Sequence, residues 1–180
     1  MTTKLFMLIP PPGSAIHGYV TAVDEAERSV FSDGVPICPP APSIQIVSGL
    51  ELADRLLTSG NELILSAQAV SVISRHRVDP QLVRCPIKLT SKNVAVNNWP
   101  SFELWYSTTS HDVLHKDAKV RRFKGHLLSV FEWVIDMRLI PSFDLFLAPT
   151  NRWIASERLV DSIFEARLSG FGFAAIPCVG

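Results

Sequence analysis

His111-Asp112-Val113-Leu114-His115 is the segment of this 180-residue chain whose residue types and spacing come nearest to catalytic chemistry. On a helix, two histidines at i and i+4 share one face and can hold a metal ion, with an acid between them as general base. The metalloprotease form of that pattern has glutamate where this chain has Asp112. The shorter acid reaches less far toward a metal-bound water. Thr108-Thr109-Ser110 before the pair and Lys116-Asp117 after it do not build a long buried helix. A third ligand would have to come from His126, Glu132 or Asp136. The expectation is therefore two exposed loop histidines, with no metal and no cofactor.

Serine chemistry is weaker still. The chain has no G-x-S-x-G elbow, no G-x-x-x-x-G-K-[S/T] phosphate loop and no G-x-G-x-x-G fingerprint. Ser66 and Ser156 stand at strand-to-helix junctions, which nucleophiles sometimes use, but capping a helix accounts for both. Gly170-Phe171-Gly172 reads as a turn into a strand. Glu157 and Asp161 form an i,i+4 acidic pair best read as solvated charge. No catalytic and no cofactor-binding residue is expected, and the chain reads as a protein that is not an enzyme.

Two segments have the composition of a binding surface. Trp99, Phe102, Trp105 and Tyr106 fall within eight residues. On a strand, Phe102 and Tyr106 face one way and Trp105 the other, so one side is core and the other is either core or an aromatic anchor for a partner. The favoured reading buries both faces. Lys116, Lys119, Arg121, Arg122 and Lys124 form a basic run tempered by Asp117, read as a solvated loop or strand edge. The candidate partner-binding residues are Trp99, Trp105, Lys119, Arg121 and Arg122. Lys and Arg together number 17, as do Asp and Glu, so no global charge steers the chain toward nucleic acid or an anionic membrane.

The elements that must position these residues follow from pattern. Leu5 to Ile9 reads as a strand stopped by Pro10-Pro11-Pro12-Gly13, too short and wrongly flanked for a signal peptide. Tyr19 to Val23 is a further strand candidate, Asp33-Gly34 a turn, and Pro36, Pro39, Pro40 and Pro42 an extended stretch. Ser48 and Glu51 have capping-box spacing, with Leu52, Ala53, Leu56 and Leu57 as a helical stripe ended by Gly60. Glu62 to Leu65 is a strand, and Ser66 caps a helix with Ala69, Val70 and Ile73 inward. Strands at about 82–89 and 102–106 follow. Residues 127–140 mix helical spacing with strand formers, and the pattern leaves both open. Trp153 to Ala155 is a strand, and Ser156 caps a helix lined by Leu159, Val160, Ile163 and Phe164. Gly170 is the left-handed stop before a strand at 171–176. Cys38, Cys85 and Cys178 are too few and too scattered for a disulfide framework or zinc site, so Cys85 and Cys178 read as small buried hydrophobes. No apolar run approaches membrane-spanning length, and the default is a soluble cytoplasmic protein.

The chain also repeats itself. Ile64 to Ile73 matches Ile154 to Ile163 at a constant offset of ninety residues. Each copy is an apolar run, a serine, a helical pattern, a turn and a second apolar run. The fold class expected is α+β, a mixed sheet carrying a strand–helix–strand unit twice, at about 62–89 and 152–177. The domain reading is one domain over 1–180, or two lobes at about 1–92 and 93–180.

Asp144-Leu-Phe146-Leu-Ala-Pro-Thr-Asn-Arg-Trp-Ile-Ala-Ser156-Glu157-Arg158-Leu159, followed by Leu168-Ser-Gly170-Phe171-Gly-Phe173, resembles the C-terminal segment of a bacterial immunity protein family of polymorphic toxin systems (immunity family eleven). Leu63 to Leu89 is similar to the central segment of that family. Residues before Asp33 match it poorly. For residues 127–140 the resemblance implies strand. The resemblance implies a cytoplasmic protein that binds and blocks a cognate toxin by occluding its active site, with no nucleic acid or membrane partner and with a homodimer allowed. The matched positions are capping and core residues, so no toxin-binding residue carries over. The alternative function is a metal-dependent hydrolase using His111 and His115. A third is a nucleic-acid accessory protein using Lys116 to Lys124.

Overall fold

A computed structural model describes residues 4–11, 19–22, 43–48, 52–56, 62–91, 101–107 and 109–180. Trp99, Cys38, the Asp33-Gly34 turn, the Pro36–Pro42 stretch, and Glu51, Leu57 and Gly60 of the expected capped helix lie outside them. The fold class is α+β: short helices set among mostly antiparallel strands. In chain order the strands are β1 (Leu5–Ile9), β2 (Tyr19–Ala22), β3 (Ser43–Ser48), β4 (Arg55–Leu56), β5 (Leu63–Ser66), β6 (Leu82–Ser91) and β7 (Phe102–Ser107). They continue as β8 (Lys119–Phe123), β9 (His126–Glu132), β10 (Ile135–Asp136), β11 (Leu145–Ala148), β12 (Arg152–Ser156), β13 (Gly172–Ile176) and β14 (Cys178–Val179). The α-helices of the described residues are α1 (Ala67–Ile73) and α2 (Glu157–Glu165).

Two sheets carry the core. One runs β2-β3-β6-β7-β5-β4 and the other β11-β12-β1-β13. Both send one face to a shared cluster with the helices, which holds Leu63, Leu65, Trp105, Leu147, Trp153, Ala155, Leu159 and Ile163. The opposite faces bury Ile64, Phe102, Leu104 and Tyr106 in one sheet, and Leu5, Phe146, Ile154 and Ile176 in the other. Because both faces are dry, β5 and β11 are buried at every position, and Leu63 to Leu65 and Leu145 to Ala148 read as unbroken apolar runs.

Two serines ninety residues apart cap the two helices in the same way. Ser66 caps α1, its Oγ accepting from the Ala69 amide at 3.2 Å and donating to Asp54 Oδ1 at 2.7 Å. Ser156 caps α2 in the same way, with the Leu159 amide at 3.3 Å and Asp144 Oδ1 at 2.6 Å. Arg55 opposes Leu65 in one hairpin as Leu145 opposes Ala155 in the other. A strand from far along the chain completes each unit: β7 lies between β5 and β6, and β1 between β12 and β13. The units also clasp each other. Asp54 Oδ2 accepts from the amide and hydroxyl of Ser169, while Asp144 Oδ2 accepts from the Arg77 amide.

Four expectations are corrected. The helix over 49–60 is not formed where it is described: Leu52 to Asp54 is irregular and Arg55–Leu56 is strand. Pairing of Leu56 with Ile64, and Asp54 with Ser66 and Ser169, outweighs the local apolar stripe. Phe164 is 63% exposed rather than core, although Leu159, Val160 and Ile163 are buried. The left-handed position after α2 is taken by Arg167 (φ 54), and Gly170 (φ 81) serves a later turn that passes against Arg55. Cys85 is disulfide-bonded, and Cys178 is a half-buried free thiol. Over 127–140, the strand assignment holds for β9 and β10, and Met137–Leu139 is a 3-10 turn.

Candidate interaction surface

His111 and His115 are not on a helix. They stand in irregular chain, broken only by a single bridge between Leu114 and Ile135. His111 Nε2 meets Asp79 Oδ2 at 2.7 Å, and the ring stands edge-on to Phe143 and Phe146 at 5.9 and 5.8 Å. Its amide donates to the Leu147 carbonyl at 2.8 Å. The residue therefore links the segment after α1 to β11. His115 Nδ1 accepts from the Asp117 amide at 3.3 Å. Both histidines are partly covered rather than the exposed loop residues expected. The third-ligand candidates are engaged or remote in role: Glu132 pairs with Lys119 at 2.7 Å, Asp136 chelates Arg138, and His126 is exposed. Among the described residues, no three His, Cys, Asp or Glu side chains are grouped to hold a metal ion.

A serine–histidine–aspartate contact, missed by motif reading, joins the two helices. His76 Nε2 lies 3.0 Å from Ser162 Oγ, with His76 Nδ1 3.9 Å from Asp144 Oδ2. A pocket of about 300 Å³, lined by Val72, Arg75, His76, Ser162, Glu165 and Ala166, opens beside it. Ser162 Oγ also lies 3.1 Å from the Arg158 carbonyl, an alternative acceptor for its hydroxyl, and which partner donates between His76 and Ser162 follows from the imidazole tautomer. The 3.9 Å separation from Asp144 is beyond hydrogen-bond reach, so this carboxylate does not orient the ring through a hydrogen bond. Burial lowers the His76 pKa, with Asp144 partly opposing, and Nδ1 is buried without a hydrogen-bond partner. Burial pushes the Asp144 carboxyl up, but hydrogen bonds from Arg158, Ser156 and the Arg77 amide outweigh it and hold the group below its ordinary value. The cluster packs the turn after α1 against α2.

Trp105 is 0% exposed, which corrects its candidacy as a partner anchor. Its indole Nε1 donates to Glu103 at 2.7 Å and Arg84 lies over its ring at 4.1 Å. With Phe102, Leu104 and Tyr106 also buried, both faces of β7 are core as the alternation predicts.

The remaining candidates converge on one element. Lys119, Arg121 and Arg122 lie on β8, which among the described residues pairs with β9 in a separate two-stranded sheet. The turn is Lys124-Gly125 with φ 49 and 84, the left-handed pair that a two-residue hairpin loop requires. Every residue from Arg121 to His126 is exposed. The register slips twice. Arg122 opposes Leu127 and Arg121 opposes Ser129, which leaves Leu128 without a partner; Val120 opposes Val130 and Lys119 opposes Glu132, which leaves Phe131 without one. Each is the extra residue of a β-bulge, a device that re-aims side chains. These two residues are 53% and 69% exposed, and Phe123 beside the turn is 61% exposed. The hairpin has four lysines and arginines against the single carboxylate of Glu132, which Lys119 neutralises. Arg122 reaches only the Gly125 carbonyl at 3.4 Å and Lys124 lies 5.5 Å from the Phe123 ring. Among the described residues, Arg121, Arg122 and Lys124 have no acidic partner. Gly125 between two strand-forming runs was the available signal for this hairpin.

No protein-family model matches the chain, and no curated protein matches it. None of the helices among the described residues is long and apolar enough to cross a membrane.

Proposed function

We propose that the protein is a non-enzymatic immunity protein that binds a cognate bacterial toxin and occludes its active site. The observation that carries this reading is the β8–β9 hairpin, where two bulges turn Leu128 and Phe131 into solvent beside unpaired cations. Exposed apolar side chains rimmed by polar groups are what a protein interface uses as anchors. The likeness of residues 144–159 and 168–173 to the immunity-family motif points the same way. The partner in this reading is a protein, with no nucleic acid, no membrane and no cofactor, and a homodimer is compatible with it.

Co-expression with the products of adjacent genes tests the proposal. Growth rescue from a toxic neighbour, with co-purification of the two chains, is the expected result. Neighbours that are all harmless and all unbound would sink it. A cytoplasmic home belongs to the same proposal.

A further inference from the structure

We infer that the surface this protein covers on its toxin is acidic: a cluster of carboxylates beside an apolar depression. The inference rests on the immunity reading and deepens it. Arg121 and Arg122 lie on an exposed strand and meet no carboxylate among the described residues, and Lys124 adds a third such cation at the turn. Guanidinium groups held on a paired strand suit carboxylates, which they bind through two parallel hydrogen bonds. Leu128 and Phe131 supply the apolar centre that the charges surround. A site that binds nucleic acid is basic and repels this hairpin. The toxin pocket it fits is one lined by acid–base or metal-binding carboxylates.

A nucleic acid is the other occupant that cations and aromatics suggest, and the hairpin fits it less well. Leu128 has no ring to stack on a base, and Lys119 is already neutralised by Glu132. The whole chain adds no basic excess, with 17 cations against 17 anions.

The test uses the full chain with the toxin identified by co-expression. R121E/R122E and F131S are compared with wild type and with K88E, an exposed cation on β6 in another sheet. Thermal melts first establish that all four proteins fold. The expected result is loss of growth rescue and roughly 100-fold weaker toxin binding for R121E/R122E, weaker binding for F131S and no change for K88E. Wild-type affinity should also fall at least about tenfold between about 50 and 500 mM salt. A folded R121E/R122E that rescues and binds like wild type overturns the acidic-surface inference and leaves the immunity reading intact. If wild type binds no neighbour at all, both fall. Micromolar binding of wild type to a labelled single-stranded oligonucleotide, lost in R121E/R122E, overturns the inference in favour of nucleic acid.

Discussion

Replacing Ser156 by alanine removes two bonds at once, and its cost can be worked from the structure. The hydroxyl oxygen accepts from the Leu159 amide at 3.3 Å as the cap of α2. It also donates to Asp144 Oδ1 at 2.6 Å. A lost serine cap costs about 0.5–2 kcal/mol. A hydrogen bond to a charged acceptor contributes about 1.5–3 kcal/mol net. The upper ends do not add, because Asp144 keeps the Arg77 amide at 3.0 Å and Arg158 at 2.5 Å and is not left as a bare buried charge. The expected loss is about 2–3 kcal/mol. For a chain of this size that lowers Tm by about 4–12 °C. Thermal and urea melts read the change, and Ser156→Thr, which restores the hydroxyl, should recover most of it. Ser66→Ala removes the matching pair of bonds in the first unit, while Asp54 keeps two bonds of 2.9 Å from Ser169. Its cost should agree with that of Ser156→Ala within about 1 kcal/mol. A Ser156→Ala melt within about 1 °C of wild type would refute the reasoning, since neither bond would then be contributing.

Ile163→Ala should cost about 2–5 kcal/mol, because its side chain is 1% exposed. Phe164→Ala should cost about 1 kcal/mol or less, since only its edge contact with Phe173 is lost; equal melts for the two would show the helix face is misassigned. Gly170→Ala should cost about 3 kcal/mol, as a Cβ there would lie 2.2 Å from the Arg55 carbonyl at a positive φ. Gly125→Ala meets open space and should cost only about 1 kcal/mol of backbone strain. Stability should also fall with acid in two windows. His76 is held below its ordinary 6.5 by burial, so its contribution is present above that value and declines as pH falls beneath it. His76→Gln should flatten the stability curve as pH falls below His76's ordinary 6.5, and an unchanged slope would contradict the assignment. The hydrogen bonds of Arg138 lower Asp136 from 3.8 to about 2, so its contribution is present above 3.8 and lost as pH falls through 2. Asp136→Asn should remove that second, strongly acid window in a pH-dependent melt.

The sequence by itself determined the features whose causes are local. Ser66 and Ser156 announce their helices because a cap acts on an amide three residues away. The alternation of Phe102, Leu104 and Tyr106 against Trp105 follows from the two-residue strand period, and both faces are indeed buried. The ninety-residue offset was legible down to the serines, and Asp54 and Asp144 extend it by residues whose purpose appears only when each is seen bonded to its serine. Tertiary structure decided the rest. The pattern at Leu52 to Leu56 satisfies a helix as well as a short strand, and only pairing with β5 chooses between them. His111 has metal-ligand spacing on paper, but its partner is Asp79, thirty-two residues away. Nor does a basic run show whether its charges are compensated. Lys119 finds Glu132, whereas Arg121 and Arg122 find no carboxylate among the described residues. Burial, charge pairing and strand partnership depend on which distant segments arrive at the same place, and hydrogen bonds and Coulomb forces act over ångströms of space rather than positions along a chain.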